Sequence, residues 1–443
     1  MSTSRSGLAT VLLVALVAGC AVNEPARATP TPTATPVGAP SAENGSSGPT
    51  TAPPSSTTSP VSPRPSPVAL GGFTTPVPPD ARTAWTGIAW RKLAPDDPLA
   101  QVRSVVRWRG GFVALGARIA TGETSRTPVW SSTDGRTWRP LDIEVFGPDT
   151  VLLGVGETAD GLAAVTLHGG LDGTSAAPLE SWTSPDGATW TAHPGPPGFA
   201  APSVGCDGCG VRVPIFGSGT PGLLLVNDSG TEAGAGSPAS FSDDGVTWQD
   251  LAAATFPAGI GFHDVAGFRS GFIATGEQGV TVKGEETIRA IALSSADGRT
   301  WVERDLPAAP GLDPQNGSSA GGLVVGPEGV IATGGTADMS GVDIWWSSVT
   351  GRTWSLIAGY PPLGVDPNAE AGSRINGTLF GDGERMLAYR GGDKPAGWTS
   401  TDGRSWHAIA IHDGVAIGAD AVTPIGLLGT GADGSIWFGA PLS

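Results

Sequence analysis

The amino-acid sequence predicts an all-β fold, a seven-bladed β-propeller over residues 84–443. Two observations support this prediction. A seven-residue motif, Ser-x-Asp-Gly-x-Thr-Trp, recurs six times, and its final tryptophans lie 52, 58, 53, 53 and 52 residues apart. An apolar run typical of a β-strand precedes each copy, and a seventh run follows the last copy. A period of about 50 residues suits a four-stranded propeller blade, and no long helical periodicity interrupts it.

The motif predicts one hairpin turn in each blade. Its six copies are Ser132–Trp138, Ser184–Trp190, Ser242–Trp248, Ser295–Trp301, Ser348–Trp354 and Ser400–Trp406. The fifth copy has Thr350 in place of Asp, and the sixth has Ser405 in place of Thr. Asp-Gly between β-prone runs indicates a hairpin, because glycine tolerates the positive φ that the turn needs. We therefore place each copy between the third and fourth strands, C and D, of a blade.

The apolar runs predict strand B of each blade. They cover residues 110–116, 161–167, 222–227, 271–276, 329–334, 385–391 and 425–431. A shorter β-prone run before each of them predicts strand A. The connections from B to C and from D to the next A are longer than the A–B turns, and we predict them as loops, for example at 116–128 and 277–289. Their length and variability indicate that ligands bind on this side of the molecule.

The two ends of the domain predict how the last blade closes. The run "GIAWRKL" (87–93) resembles a strand D with no blade before it, and "GSIWFGAPLS" (434–443) resembles a strand C with no strand D after it. Joining them completes a seventh blade. Such a closure also pairs the last open sheet edge.

The six motif copies resemble the Asp-box, or BNR, repeats of bacterial sialidases, sortilins and related propellers. In this chain the Asp directly precedes the Gly, one residue closer than in the commonest sialidase form. Asp and Ser or Thr side chains can accept hydrogen bonds from the backbone of their own turn, and a Trp can fill the space between neighbouring sheets. We therefore expect a structural role for Asp134, Asp186, Asp244, Asp297 and Asp402, and for Trp138, Trp190, Trp248, Trp301, Trp354 and Trp406.

The N-terminal region predicts a surface-anchored protein. Residues 1–19 have the features of a signal peptide, with an apolar run too short to span a bilayer as a helix. The segment "VAGC" resembles a bacterial lipobox, which implies that Cys20 is acylated and anchors the chain to the outer face of the cell membrane. Residues 20–83, rich in Pro, Thr and Ser, are predicted to form a disordered linker.

The amino-acid composition narrows the classes of partner and ligand that we expect. The formal net charge is −16, so the chain repels phosphate backbones and we expect no nucleic-acid partner. Arginine far exceeds lysine, as in proteins from high-GC, actinobacterial-type genomes. Cys206 and Cys209 lack the further ligands of a zinc site, and we predict a local disulfide between them. We expect no metal, no cofactor and a monomer.

The resemblance to sialidases implies an arginine cluster, a Tyr nucleophile with a Glu partner and an Asp acid/base. The chain has two tyrosines, Tyr360 and Tyr389, the second beside Arg390, and Asp366 lies in a predicted loop. These four residues are candidates for the ligand side but match no motif. The sequence therefore favours a non-catalytic binding or scaffolding propeller whose ligand is a cell-envelope glycan or protein, and leans against an enzyme. The alternatives are an exo-sialidase-like glycoside hydrolase with a diverged site and a membrane-complex assembly factor.

Overall fold

The structure is a computed structural model. It describes residues 85–94, 97–108, 111–116, 119–121, 124–126, 128–135, 137–140, 146, 150–168, 179–197, 199, 214–227, 239–268, 270–307, 317–336, 342–357, 378–381, 383–391, 394–413, 417–431 and 433–442. All of them lie in the second of two compact regions, Leu70–Ser443. The predicted signal peptide and linker, Cys20, Cys206, Cys209, Tyr360 and Asp366 lie outside the described residues.

The described chain is almost entirely β-structure. It forms five four-stranded antiparallel sheets, one eight-stranded sheet and a two-stranded ribbon. The eight-stranded sheet consists of two successive four-stranded units, so the strands group into seven units, each with strands A to D in the predicted order. Two short 3₁₀ helices, Pro98–Gln101 and Ala253–Thr255, lie between strands. No helix among the described residues is long and apolar enough to cross a membrane.

The strand bounds follow in the order A, B, C, D. Unit one has Val102–Trp108, Gly111–Gly116, Val129–Ser132 and Arg139–Pro140, and unit two has Thr150–Thr158, Gly161–His168, Leu179–Ser184 and Thr191–Pro194. Unit three has Ile215–Gly219, Gly222–Val226, Ala239–Ser242 and Gln249–Asp250, and unit four has Ile260–Phe268, Gly271–Val282, Glu285–Ser295 and Val302–Arg304. Unit five has Ser318–Val325, Gly329–Thr336, Val342–Ser348 and Trp354–Leu356, and unit six has Thr378–Gly381, Met386–Arg390, Ala396–Ser400 and His407–His412. Unit seven has Ile417–Thr423, Gly426–Gly431, Ile436–Leu442 and, as strand D, Gly87–Lys92.

The seventh unit is completed by the N-terminal strand, which is the pairing that the sequence predicts. Gly87–Lys92 runs antiparallel to strand C of this unit, from Gly87 opposite Leu442 to Lys92 opposite Trp437. Its other edge pairs in parallel with strand D of unit six. The side chains of Ile88 and Trp90 are buried there. The parallel pairing was not predicted, and it joins units six and seven into one sheet.

The core is divided into seven apolar clusters, and each lies between two successive units. The cluster between units seven and one contains Val102, Trp130 and Phe438, so the last unit packs against the first. Strand A of every unit contacts strand A of the next, and strand A of unit seven contacts strand A of unit one. Strand B, in the middle of each sheet, is covered on both faces. This burial explains the uninterrupted apolar runs in the sequence.

One predicted loop is instead a long hairpin. Strands B and C of unit four remain paired from Phe272 opposite Ser295 to Val282 opposite Glu285. The two residues of the turn, Lys283 and Gly284, have φ of 53° and 90°, as a two-residue hairpin turn requires. In unit one, a ribbon of Ile119–Thr121 and Thr124–Arg126 likewise lies within the predicted 116–128 loop. The prediction of loops was wrong at these two connections. Their strands extend past the buried part of the sheet, and the polar residues that alternate along them are also typical of loops.

Candidate functional site

The turns of the repeated motif lie on the side of the molecule where strand C ends and strand D begins, which we call the turn side. We call them the Asp-box turns, after the resemblance described above. Their contacts are clearest at Asp297. Its Oδ1 accepts hydrogen bonds from the backbone N–H of Arg299 (2.8 Å) and Thr300 (2.7 Å) and from the hydroxyl of Ser295 (3.1 Å). Its Oδ2 accepts a bond from the Thr300 hydroxyl (3.1 Å). The Ser295 hydroxyl oxygen in turn accepts a bond from the N–H of Gly298 (2.8 Å). Both carboxylate oxygens are therefore engaged within the turn.

One contact of this turn recurs in every copy that has the aspartate. The N–H three residues after Asp donates to Oδ1 at 2.6–2.7 Å in each of these copies, which contain Asp134, Asp186, Asp244, Asp297 and Asp402. The glycine after each motif's third residue has a φ between 60° and 75°, so the turn conformation favours glycine there. The geometry is repeated as a unit, which is how a structural element behaves.

Burial alone would raise the pKa of Asp186, Asp244, Asp297 and Asp402. The backbone N–H groups and hydroxyls of their turns outweigh burial and lower the pKa of each carboxyl below its ordinary value. These donors stabilise the ionised form. The Asp-box carboxyls are therefore charged and hydrogen-bonded at neutral pH.

The tryptophans that close the motifs lie against the seams between units. Trp190, Trp248 and Trp354 are buried, and Trp138, Trp301 and Trp406 are partly buried. The indole N–H groups of Trp301 and Trp406 each donate to the carbonyl oxygen of their own turn glycine at 3.1 Å. Among the described residues, the large apolar side chains that are exposed are Val246, Val302 and Leu442, and none of these is aromatic. The motif tryptophans therefore do not form an exposed aromatic platform.

The opposite side, where strands A and C begin, carries a row of polar side chains across unit four. We call His263, Glu277, Gln278, Arg289 and Glu303 the polar row. His263 Nε2 lies 3.6 Å from Glu277 Oε2. The Arg289 guanidinium donates to Gln278 Oε1 through Nε (3.0 Å) and Nη2 (2.5 Å), and Nη2 also contacts the Glu303 carboxylate. These residues come from all four strands at the base of the long hairpin. Because Glu277 and Gln278 are consecutive in strand B, the His263–Glu277 contact and the Gln278–Arg289–Glu303 contacts lie on opposite faces of the sheet.

Asp264 lies beside the polar row, at a bulge in strand A of unit four. Its Oδ1 accepts a hydrogen bond from the Val265 N–H and its Oδ2 one from the Leu323 N–H of unit five, both at 2.7 Å. Burial raises the pKa of Asp264, although these two bonds and nearby His263 act in the opposite direction. This carboxyl therefore links two units and is more easily protonated than the Asp-box carboxyls. The described residues include no group of three His, Cys, Asp or Glu side chains that could hold a metal ion.

The structure places the predicted ligand-side residues differently from the polar row. Tyr389 is 1% exposed and belongs to the core cluster between units six and seven. It packs edge-to-face against Trp90, with ring centroids 5.6 Å apart, and burial raises its pKa to about 12. The Arg390 guanidinium lies over the Trp398 ring, 5.7 Å from the centroid. Tyr389 therefore has no surface through which to contact a ligand.

Sequence reasoning missed the polar row and Asp264. The available signal was polar residues at the loop-side ends of apolar strands, as in "HD" early in strand A and "EQ" after the buried part of strand B. Only the register of unit four brings these residues together, because they come from four strands, and Arg289 and Glu303, for example, are 14 positions apart in the sequence.

No protein-family model matches the chain, and no curated protein matches it either. Three solved structures are similar in fold. The GH74 xyloglucanase of Xanthomonas campestris is 15% identical, with 79% of this chain and 55% of that chain covered and a TM-score of 0.41. YCF48 of Cyanidioschyzon merolae is 14% identical, with 79% and 98% covered and a TM-score of 0.40. The β-propeller domain of the Trilobed protease of Pyrococcus furiosus is 10% identical, with 77% and 95% covered and a TM-score of 0.44.

Five further similar structures are described as glycosidases or glycoside hydrolases or belong to carbohydrate-cleaving families, with identities of 12–15% and TM-scores of 0.27–0.33. The expectation that the chain is not an enzyme is contradicted by this comparison, because carbohydrate-cleaving enzymes make up most of these structures. At such TM-scores the similarity concerns the general architecture and assigns no activity or site to this chain.

Proposed function

We propose that the seven units are the blades of one closed Asp-box propeller, which acylated Cys20 holds at the outer face of the cell membrane. The propeller binds a cell-envelope glycan on the side opposite the turn side, which we call the loop side. The closed cycle of contacts between the A strands supports the blade count. In this proposal the Asp-box aspartates hold the turns together, because their carboxylates accept hydrogen bonds from their own turns, and the tryptophans fill the seams between units.

The observation that carries the binding proposal is the polar row on unit four. Sugar hydroxyls are bound by a few placed carboxylate, amide and guanidinium groups. Gln278, Arg289 and Glu303 present these groups on one face of the sheet, at the base of a projecting hairpin. The bonds between Arg289, Gln278 and Glu303 hold the side chains in position before a ligand arrives. Such preorganisation reduces the entropic cost of binding.

The test is binding of the full mature chain to polysaccharide fractions of the cell envelope of the producing organism. We expect Glu303→Gln and Arg289→Gln to weaken binding by about tenfold each, the effect of losing roughly 1.4 kcal/mol of interaction. Arg404→Gln, on the turn side, is the matched control and should bind like the wild type. Undiminished binding by both polar-row variants would remove the loop-side proposal.

A glycoside hydrolase is the second candidate, and Asp264 is the observation that favours it. A general acid for glycoside hydrolysis needs a raised pKa and a second carboxylate nearby. Burial raises the pKa of Asp264, and Glu277 contacts the adjacent His263. Asp264→Asn should then abolish release of reducing sugar from the same fractions without abolishing binding. Wild-type protein that binds a fraction but releases no sugar would refute the hydrolase and leave the binding proposal intact.

A further inference from the structure

Two of the seams between units on the turn side share a contact made by the residue after the turn glycine. In unit four this residue is Arg299, whose guanidinium carbon lies 4.1 Å from the centroid of Phe241 in unit three. In unit six it is Arg404, which lies 3.5 Å from the centroid of Trp346 in unit five. In both seams an arginine of one unit covers an aromatic ring of the preceding unit. The stack fills the seam and uses the face of the guanidinium.

The seam between units four and five lacks this stack. The equivalent arginine is Arg352, but strand C of unit four offers Leu293, which is buried, and the small Ser294. A cavity of about 260 Å³ lies there, and its walls include Ser294, Arg304, Thr350 and Arg352. Among the motif arginines that the structure describes, Arg299, Arg352 and Arg404, it is Arg352 to which the preceding unit presents no aromatic ring.

The two arginines on this wall have unused donors. Arg304 donates through Nε to the Ser294 hydroxyl at 2.8 Å, which leaves its two Nη groups available. Within the part of the chain that the structure describes, neither Arg304 nor Arg352 forms an ion pair. Asp297 is the carboxylate on the cavity wall, and four donors of its own turn already bind it.

We propose that this cavity binds a single oxyanion group, a phosphate or a carboxylate carried by an envelope polymer. Guanidinium groups recognise such oxyanions through paired, charge-assisted hydrogen bonds. The Ser294 hydroxyl, whose oxygen accepts the bond from Arg304, can donate its own hydrogen to the anion. A volume of about 260 Å³ is below the roughly 300–1,000 Å³ of sites for drug-sized ligands, so it suits one charged group or one acidic sugar.

The proposal also accounts for the departure of the fifth Asp-box. An aspartate at position 350 would place a second carboxylate on the cavity wall and repel an anion. Thr350 removes that charge, and its hydroxyl remains hydrogen-bonded to Ser348 at 2.9 Å. Threonine in place of aspartate at position 350 therefore weakens the turn and at the same time makes the cavity suitable for an anion.

The test is isothermal titration calorimetry of the full mature chain, at low salt, with inorganic phosphate and separately with glucuronate. We expect saturable binding of at least one of them, with a dissociation constant on the order of 1 mM. Binding of phosphate alone or of glucuronate alone identifies the source of the oxyanion. Arg352→Gln and Thr350→Asp should each weaken binding by at least tenfold.

Two variants keep this test decisive. Thr350→Asp restores the consensus turn, so it should melt at the same temperature as the wild type or higher, and its loss of binding is then not a loss of fold. Arg404→Gln removes a motif arginine that covers an aromatic ring, and it should bind both anions like the wild type. The proposal is wrong if the wild type binds neither anion, or if Arg404→Gln loses as much affinity as Arg352→Gln. Arg289→Gln should leave anion binding unchanged, which separates this site from the polar row.

Discussion

At the scale of single residues, the Asp-box turn shows why one side chain is repeated so often. A carboxylate has two oxygens, and in these turns it satisfies two backbone N–H groups and two hydroxyls at once. A threonine at the same position has one oxygen, and Thr350 accordingly makes one hydrogen bond, to Ser348. The aspartate therefore stabilises the turn more than the threonine can.

This difference predicts opposite effects for two substitutions. Asp297→Ala should lower the free energy of unfolding by about 1–2 kcal/mol, because it leaves the N–H groups of Arg299 and Thr300 without their acceptor. Thr350→Asp should raise it by about 0.5–1 kcal/mol, by supplying the missing acceptor. Midpoints of denaturant unfolding at neutral pH would measure both. An Asp297→Ala midpoint equal to that of the wild type would contradict the structural role of the turn.

The lowered pKa values of the Asp-box carboxyls predict how stability depends on pH. A carboxyl whose folded pKa lies below its unfolded value of about 3.9 contributes stability above that pH. The contribution is lost as the pH falls through the folded value. The difference in unfolding midpoint between the wild type and Asp297→Ala should therefore be largest near neutral pH and shrink towards pH 3. A difference that grew on acidification would show that the pKa of Asp297 is raised in the folded state.

At the scale of elements, we expect strand Gly87–Lys92 to have the largest effect on stability for its length. It pairs on both edges and buries Ile88 completely between units six and seven. Without it, strand C of unit seven and strand D of unit six would both expose unpaired edges. Exposed edges cost stability and favour aggregation.

Two variants test the contribution of this strand. A chain that begins at Lys92 should unfold at a markedly lower temperature and aggregate, whereas deletion of residues 21–80 should leave the melting temperature unchanged. The single substitution Ile88→Ala should cost about 2–5 kcal/mol, the usual range for a buried isoleucine. A chain starting at Lys92 that melts like the full domain would contradict the closure.

Most elements could be predicted from the sequence, because the signals are local. The Asp-Gly turns and the apolar B strands occur where the sequence predicts them. A hairpin turn requires particular residues, and so does a strand that is covered on both faces. The hairpin of Gly271–Val282 and Glu285–Ser295 was not predicted beyond its buried half. Past that point polar residues alternate along strands that pack against no core, and such a pattern does not distinguish a strand from a loop.

The candidate site was predicted less well than the fold. Tyr389 follows an apolar strand and was expected near a ligand, but the packing of unit seven buries it against Trp90. His263, Asp264 and Glu277 come together through the register of two strands of unit four, and one residue of bulge decides which side chains face each other. A sequence without an alignment does not contain that register.

At the scale of the whole molecule, the chain combines a cyclic arrangement of units with a predicted anchor at Cys20. Replacing Cys20 by Ser should abolish acylation, because the modification requires the thiol, and unprocessed precursor should accumulate. Mass spectrometry of protein purified from its own membrane should detect the acyl mass on a chain that begins at residue 20. An N-terminus elsewhere, without acyl mass, would contradict the anchor and leave the propeller proposal unaffected.

The position of the first strand determines how an anchored propeller would respond to mechanical force. In a chain tethered through Cys20, tension from the N-terminal side reaches the described domain at Trp85, which is buried in the cluster between units six and seven, and then at Thr86, the residue that enters the strand. Thr86 donates its N–H to Leu442 and accepts a bond from the N–H of Ala410, so tension loads both neighbouring strands together. The strand can leave only when two hydrogen-bond ladders fail. The attachment point is therefore a strand that is hydrogen-bonded on both sides. A cell-wall polymer that pulled on the domain would meet resistance from units six and seven at once.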